Sequence, residues 1–276
     1  MVELWDPSIG YASVWSLLGH NHPVTSVRFL RPGGSKLASS GRDGTIRIWN
    51  ALTGACIRTV CTESGWVRDI SPSSDGRWLV SAGDDNTATL WEISTGAIRS
   101  IFRGHELRVE CCILAPPESY SFLAGMAHLR GRWKPPTPSS AEFVVTGSRD
   151  RTINIWDANG PLVQTLIGHD SWVRGLAFSP CGRFLLSVGD DGTIRFWDLA
   201  AFGRLVHVIE DQKDFVNCIQ WVPAYFSSSK SSKALTGVHL KRGRSETRCV
   251  FVTGVVTEFS RSTCNSSNSD LQATTR

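Results

Sequence analysis

The chain has 276 residues, with 29 basic against 25 acidic side chains and a formal net charge of +4, which excludes the strongly basic stripe of a dedicated nucleic-acid-binding protein. No apolar run is long enough to span a membrane, and the N-terminal MVELWDPSIG lacks the features of a signal peptide, so we expect a cytoplasmic protein without membrane insertion. The eight cysteines show no C-x-x-C pair and no Cys–His metal spacing, which predicts small core thiols in a reducing compartment and no metal or cofactor.

The elements predicted in chain order are short strands. Residues 1–19 contain VELWD and ASVWSLL, which alternate like the last two strands of a sheet whose first two are missing. Within 20–226 four units of four strands follow, separated by turn residues. The units are VTSVRFL, KLASSG, TIRIWN, CIRTV; then WVRDISP, WLVSAG, TATLWE, AIRSIF; then VECCILAP, EFVVTGS, TINIWD, LVQTLI; and WVRGLAFSP, FLLSVG, TIRFWDL, LVHVIE.

Tryptophans recur along these units at nearly constant spacing. The positions are Trp5, Trp49, Trp91, Trp156 and Trp197, separated by 44, 42, 65 and 41 residues. Three of the four intervals match the period of about 40–45 residues for one WD-repeat propeller blade. The longest interval contains an insertion at 115–141, which includes the tract WKPPTPSSAE. Its proline and serine content predicts a solvated loop at the rim.

A polar quartet accompanies the period. A hydroxyl, a carboxylate and an indole stand at the same offsets in each unit, and three units carry an upstream histidine. The members are His20, Ser39, Asp43, Trp49; Ser81, Asp85, Trp91; His105, Thr146, Asp150, Trp156; and His169, Ser187, Asp191, Trp197. Such a set can close one hydrogen-bond relay inside each blade. A Ser–His–Asp set also suggests a nucleophile triad, but a set that repeats four times and ends on tryptophan predicts a structural role and no catalytic residue.

One unit departs from the quartet. Thr62-Glu63 stands where the other units have Gly-His. A glutamate facing Asp85 would bring two carboxylates together, which destabilises the unit unless one is protonated or Glu63 turns outward. We therefore expect this blade to be looser than its neighbours.

The pattern weakens towards the C-terminus. DFVNCIQWVP opens a further unit, 227–248 is predicted as a Ser- and Lys-rich loop, and 249–276 as a degenerate last blade with a disordered tail. Counting from Thr253 as the hydroxyl, Thr257 and Thr263 replace the carboxylate and the indole. The fold class is thus all-β, a WD-repeat propeller with four complete blades and a partial blade at each end. An open arc, a strained five-blade ring and a shortened version of a longer parent are alternatives, of which we favour the third.

Three segments resemble one family in particular. They are GHDSWVRGLAFSPCGRFLLSVGDDGTIRFWDL, EFVVTGSRDRTINIWD and VECCILAPPESY, and they resemble the fungal nuclear-distribution proteins, counterparts of the animal lissencephaly protein that regulates cytoplasmic dynein. The resemblance implies a seven-blade parent that begins with a dimerisation motif and a coiled coil. Neither is present in this sequence, which argues against homodimerisation of this chain.

The resemblance also implies a partner-binding face formed by loops around the central channel. The matching residues are Arg42, Arg68, Arg149 and Trp172. A further cationic position of the family is Gly192 here. Arginine and tryptophan are enriched at binding hot spots, and guanidinium groups suit carboxylates. The alternatives are that the arginines at 42 and 149 are solvated turn residues, that Arg68 pairs with Asp69 or Glu63, and that the tryptophan packs at the rim.

The implied function is non-enzymatic regulation of cytoplasmic dynein in microtubule-dependent nuclear migration and spindle positioning. The implied partners are the dynein motor domain and nuclear-distribution coiled-coil adaptors, and the implied locations are the cytoplasm, microtubule ends and spindle poles. Three alternatives remain: a scaffold or substrate receptor in ubiquitin ligation or signalling, a non-catalytic subunit of a lipid-ester hydrolase, and a truncated copy with reduced function. The first of these would need an adaptor-binding motif outside the blades, and none is evident.

Overall fold

A computed structural model describes residues 1–63, 65–129, 142–210, 215–221, 237–242 and 245–255. Most of them lie in short antiparallel strands. The strands are β1 Val2–Asp6, β2 Ala12–Leu17, β3 Val24–Leu30, β4 Lys36–Gly41, β5 Thr45–Asn50, β6 Cys56–Cys61, β7 Val67–Pro72, β8 Trp78–Gly83, β9 Thr87–Glu92, β10 Ile98–Arg103, β11 Val109–Leu114, β12 Phe143–Ser148, β13 Thr152–Asp157, β14 Leu162–Ile167, β15 Val173–Phe178, β16 Phe184–Gly189, β17 Ile194–Asp198, β18 Arg204–Ile209, β19 Val216–Trp221, β20 Gly237–Arg242 and β21 Ser245–Val255. Helix α1 spans Tyr120–Leu129, and single 3-10 turns lie at Pro7–Ile9, Pro117–Ser119 and Leu199–Ala201.

The strands form six sheets in chain order. Sheet 1 is the pair β1–β2, and sheets 2 to 5 are four-stranded meanders that begin at β3, β7, β11 and β15. Sheet 6 has three strands in the order β19–β21–β20. The four predicted complete units and the two N-terminal strands are therefore confirmed, and the WD-repeat propeller architecture with them.

The first strands of successive sheets lie side by side. Strand β3 packs on β7, β7 on β11, β11 on β15, and β15 on β19, so these strands line the centre of the array. The last strand of each complete sheet lies at the outside, and in β6 nearly every residue is exposed. Among the described residues the row of sheets does not close into a ring.

Hydrophobic side chains fill the spaces between sheets. The middle strands are buried on both faces, since each lies within a sheet that is covered by its neighbours; all six residues of β12 are buried. Trp49, Trp156 and Trp197 are among the most deeply buried side chains of the chain. Trp197 packs with Leu166 and Phe143 of sheet 4, so the indole that ends each polar quartet also joins neighbouring sheets.

The first half of the insertion is packed rather than solvated. Helix α1 places Leu123, Met126 and Ala127 into the core cluster that sheets 4 and 5 share. These residues lie at i, i+3 and i+4, which is one face of a helix. The turn before α1 also approaches sheet 5 closely, because a Cβ on Gly182 would lie 2.3 Å from the backbone of Glu118. The prediction of a solvated loop is wrong for this half; 130–141 lie outside the described residues.

Sheet 6 follows a different chain path from the other sheets. The segment 227–248, predicted as a loop, contains β20 and the start of β21. The sequence GVHLKR alternates apolar and polar residues, which is a strand pattern. The serines and lysines around it favour a loop, and the prediction followed them. Thr253 pairs with Ile219, the register position that Ser39 occupies opposite Val27 in sheet 2. The predicted replacements at Thr257 and Thr263, and the tail, lie outside the described residues.

The described cysteines differ in burial, and Cys181 is half-buried. Cys111 and Cys112 are buried, and burial raises the pKa of both thiols well above the usual range. Cys56, Cys61 and Cys218 are exposed, so the prediction of core cysteines is wrong for these three. Cys56 and Cys61 lie on the outer strand β6, and Cys218 lies on β19, in the last sheet that the structure describes. In the part of the chain that the structure describes, no helix is long and apolar enough to cross a bilayer.

Candidate partner-binding face

The polar quartets form hydrogen-bonded relays in sheets 2, 4 and 5. In each relay the indole N–H donates to the hydroxyl oxygen, and the hydroxyl lies next to the histidine Nε2. The indole contacts are Trp49–Ser39, Trp156–Thr146 and Trp197–Ser187, each 2.8 Å, and the imidazole contacts are His20–Ser39, His105–Thr146 and His169–Ser187, each 2.7 Å. The histidine Nδ1 then reaches the carboxylate, at 3.0 Å for Asp43 and 2.7 Å for Asp150 and Asp191.

Each relay carboxylate also holds the turn in which it lies. Burial by itself raises the pKa of Asp150, but hydrogen bonds from His105 and Thr152 outweigh burial and lower that pKa to about 2. Asp43 is likewise held at a pKa of about 2 against the effect of burial, by Thr45, Asn21 and His20. The pKa of Asp191 also lies below its usual value. The carboxylates therefore stay ionised because several donors converge on them.

These relays have no catalytic geometry. Ser39, Thr146 and Ser187 are completely buried, so a substrate cannot reach their hydroxyl oxygens. Burial also lowers the pKa of His20, and this effect outweighs the attraction of Asp43. The His20 imidazole is thus a neutral bridge between the Ser39 hydroxyl and the Asp43 carboxylate, which holds this sheet together.

Sheet 3 lacks the imidazole. Trp91 still donates to the Ser81 hydroxyl at 2.8 Å, and Asp85 accepts hydrogen bonds from Thr87. Glu63 is exposed, so it has turned outward, away from Asp85. Of the two outcomes considered for this pair, the structure has the outward glutamate. No side chain among the described residues bridges the hydroxyl and the carboxylate of this sheet.

The four residues of the implied binding face lie at the ends of the sheets where the central strands begin. Arg42 precedes the relay carboxylate of sheet 2, and its guanidinium lies 4.6 Å from the ring centre of Trp66 in the next sheet. Arg68 lies 5.1 Å from the same ring. Trp66 is 40% exposed, so this arginine–tryptophan–arginine stack is open to solvent. The stack combines a cationic edge with an aromatic face.

A second stack repeats the arrangement two sheets further on. Arg149 lies 3.9 Å from the ring centre of Trp172, and Arg174 lies 4.8 Å from it. Arg42 and Arg149 both precede a relay carboxylate, and each reaches a tryptophan at the equivalent position of the following sheet. These arginines lie in turns and these tryptophans pack at the rim, as the alternatives state. Each arginine–tryptophan contact also joins two sheets.

Three of the four arginines in the two stacks form ion pairs with carboxylates. Arg68 donates to Asp84 at 2.5 Å and not to Asp69 or Glu63, the two partners considered from the sequence. Arg149 donates through Nε to Glu110. Arg174 donates to both oxygens of Asp190, at 2.7 and 2.8 Å, and to Glu110 at 3.0 Å.

Sequence reasoning missed Glu110, Arg174 and the pairing carboxylates. The sequence contains a signal for them in three successive sheets. In each, the second residue of the central strand and the residue before the relay carboxylate carry opposite charges. The pairs are Arg68–Asp84, Glu110–Arg149 and Arg174–Asp190. Among the described residues no cluster of three or more His, Cys, Asp or Glu side chains could hold a metal ion.

Comparison with known proteins assigns the family. The WD domain, G-beta repeat family matches residues 12–50, 54–92, 96–157 and 160–198, which together make up more than half of the chain. The chain belongs to the WD-repeat family. Each of the four matches spans the last strand of one sheet and the first three strands of the next, and the third match contains the insertion.

The relatives of this WD-repeat chain confirm the resemblance to nuclear-distribution proteins. The chain is 46% identical over 258 residues to nuclear distribution protein nudF of Aspergillus niger, and 51% identical over 258 residues to nuclear distribution protein PAC1-1 of Uncinocarpus reesii. It is 48% identical over 252 residues to nuclear distribution protein nudF of Emericella nidulans. The matches cover 92%, 92% and 90% of this chain, but only 57%, 57% and 56% of those proteins. The chain thus spans a little over half the length of its relatives.

Proposed function

We propose that this chain is a non-catalytic, protein-binding propeller that regulates cytoplasmic dynein in microtubule-dependent nuclear migration and spindle positioning. Its relatives are named nuclear distribution proteins, which supports a role in that process. The proposed partners are the dynein motor domain and nuclear-distribution coiled-coil adaptors. The proposed locations are the cytoplasm, microtubule ends and spindle poles.

The observation that carries the proposal is the pair of arginine–tryptophan stacks on one face of the array, of which the Trp66 stack is exposed and the Trp172 stack is half-buried. Among the described residues Arg42 has no carboxylate partner, and Arg149 has one, at Nε, which leaves its terminal amino groups for a partner. Guanidinium groups that are already ordered on an indole lose little conformational entropy when they bind a carboxylate. An acidic, shape-complementary surface fits this face.

The proposed mechanism is a shift in the populations of motor states. A bound protein changes a conformational equilibrium only by its difference in affinity for the states. The propeller would favour the motor state whose acidic surface spans both stacks. The face needs no reactive group for this role, which agrees with relay hydroxyls that are sealed from solvent.

Replacement of Arg149 and Trp172 together by alanine tests the proposal. If each contributes about 2 kcal/mol as a hot spot, the dissociation constant for purified dynein motor domain rises at least about thirty-fold. Isothermal titration with the motor domain measures the change.

The matched control is Arg183→Ala with Phe184→Ala, which removes an equivalent arginine–aromatic contact of 5.1 Å at the opposite end of sheet 5. Affinity for the motor domain should be unchanged in this variant. Equal losses in the two variants, or none in the first, would remove the stacks from the binding site. A pull-down from cell extract that recovers a ligase core or a hydrolase instead of dynein heavy chain would redirect the proposal.

A further inference from the structure

The carboxylate of Glu110 joins three arginines that come from three different sheets. Its side chain is only 6% exposed and lies on the central strand of sheet 4. It accepts from Arg149 Nε within its own sheet, lies 3.0 Å from Arg174 Nη1 of sheet 5, and lies 3.9 Å from Arg68 Nη1 of sheet 3. No other carboxylate among the described residues pairs with three arginines.

Glu110 also reverses the order of charges in its sheet. Sheets 3 and 5 have arginine on the central strand and aspartate before the relay carboxylate, as in Arg68–Asp84 and Arg174–Asp190. Sheet 4 has the glutamate on the central strand and Arg149 before the relay carboxylate. The reversal places a guanidinium, rather than an aspartate, against Trp172. Arg108 also reaches the cluster, with its Nη1 3.5 Å from Asp84, so four arginines meet three carboxylates and the cluster carries one net positive charge.

We propose that Glu110 is a positioning residue for the partner-binding face: it fixes the guanidinium groups of Arg149 and Arg174 against the ring of Trp172. The inference rests on the proposed function, because it assigns Glu110 the task of pre-ordering those groups for an acidic partner. Glu110 is itself too buried to touch that partner.

Charge and geometry explain how this positioning works. Glu110 holds Arg149 by its Nε–H, and no hydrogen bond from its terminal amino groups to a described carboxylate is seen, so these groups remain for a partner. Without the carboxylate, the four arginines of the cluster would share Asp84 and Asp190 only, and two positive charges would be unpaired. Mutual repulsion would then move Arg149, the arginine that has no second carboxylate partner among the described residues.

Glu110→Gln removes the charge with little change of shape and is the principal test. Two measurements are made on the same variant: hydrogen exchange of the Arg149 Nε–H by arginine-selective NMR, and affinity for purified dynein motor domain by isothermal titration. We expect loss of Nε–H protection and a dissociation constant that rises roughly ten-fold, as for the loss of one charge-assisted hydrogen bond. Glu110→Asp, which keeps the charge, should recover part of both.

The control is Asp198→Asn, which breaks the two-hydrogen-bond pair with Arg183 at the far end of sheet 5. It should leave Arg149 protection and affinity unchanged. In an Arg149→Ala background, Glu110→Gln should weaken binding no further if it acts through Arg149.

The two measurements separate failure of this inference from failure of the proposed function. If wild-type protein does not bind the motor domain, the proposed function fails, and the NMR signal still reports whether Glu110 orders Arg149. Retained Nε–H protection in Glu110→Gln would overturn the inference. So would unchanged affinity after protection is lost, or additive losses with Arg149→Ala.

Discussion

At the scale of single residues, the relay carboxylates make the fold sensitive to acid. Asp150 has a pKa of about 2 in the folded chain, below its ordinary value of 3.8. A carboxyl group with a lowered pKa stabilises the fold above its unfolded pKa, and this contribution is lost as the pH falls through the folded pKa. His20 acts in the same direction, because its pKa is also lowered and protonation below about pH 6.5 opposes folding.

Asp150→Asn should therefore lower the free energy of unfolding at pH 7 and flatten its dependence on pH between about 5 and 2. We expect a loss of about 1–3 kcal/mol at pH 7, typical of a buried hydrogen-bond network that loses its charged member. Urea titrations at a series of pH values measure both effects. Asp170→Asn, at a carboxylate that is 87% exposed and pairs with Arg195, should keep the wild-type slope. If the free energy of unfolding of Asp150→Asn depends on pH as steeply as that of wild type, Asp150 is not a source of the acid sensitivity.

At the scale of elements, sheet 3 differs from its neighbours by one imidazole. Ser81 and Asp85 occupy the relay positions, but Glu63 points to solvent. In the other sheets a glycine precedes the histidine because the relay indole leaves no room for a side chain: a Cβ on Gly168 would lie 2.9 Å from Trp197. Thr62 instead donates its N–H to the carbonyl oxygen of Gly44 in sheet 2.

The double substitution Thr62→Gly, Glu63→His should rebuild the relay of sheet 3. One bridging hydrogen-bond network is expected to stabilise the sheet by about 1 kcal/mol. Hydrogen exchange measures the result: in wild type, β8 and β9 should exchange faster than β12 and β13, and the variant should reduce the difference. Thr62→Gly, Glu63→Gln supplies the same backbone change without the imidazole and should give no gain. If sheet 3 is the best-protected sheet of the wild-type chain, the missing imidazole does not limit its stability.

The sequence predicts contacts within one sheet better than contacts between sheets. Ser187, Asp191 and Trp197 belong to one sheet, so fixed spacing in the sequence gives fixed distance in space. Glu110 contacts arginines of neighbouring sheets, and this contact depends on how repeats pack side by side, which the period alone does not state. Helix α1 was missed for another reason: its apolar face spans two turns and adjoins a proline-rich tract whose composition dominated the prediction.

At the scale of the whole molecule, the array has an open strand edge in sheet 1. Strand β1 occupies the place of a third strand, yet among the described residues it pairs with β2 alone. In sheets 2 to 5 the equivalent strand is paired on both edges. Trp5 on β1 is 55% exposed and Tyr11 beside it is 71% exposed. An open strand edge flanked by exposed aromatic side chains is a template for pairing with another chain.

We therefore expect the isolated chain to self-associate as its concentration rises, through the open edge of β1. Trp5→Lys places a charge beside that edge and should shift the population towards monomer, because a lysine must be desolvated when a second strand pairs there. Sedimentation velocity over a hundred-fold concentration range measures the distribution. Ile167→Lys replaces an apolar side chain that is 78% exposed on β14, in a complete sheet, and should leave self-association unchanged. A wild-type chain that stays monodisperse and melts cooperatively would show that the edge of β1 is already protected, and the two lysine variants would then behave alike.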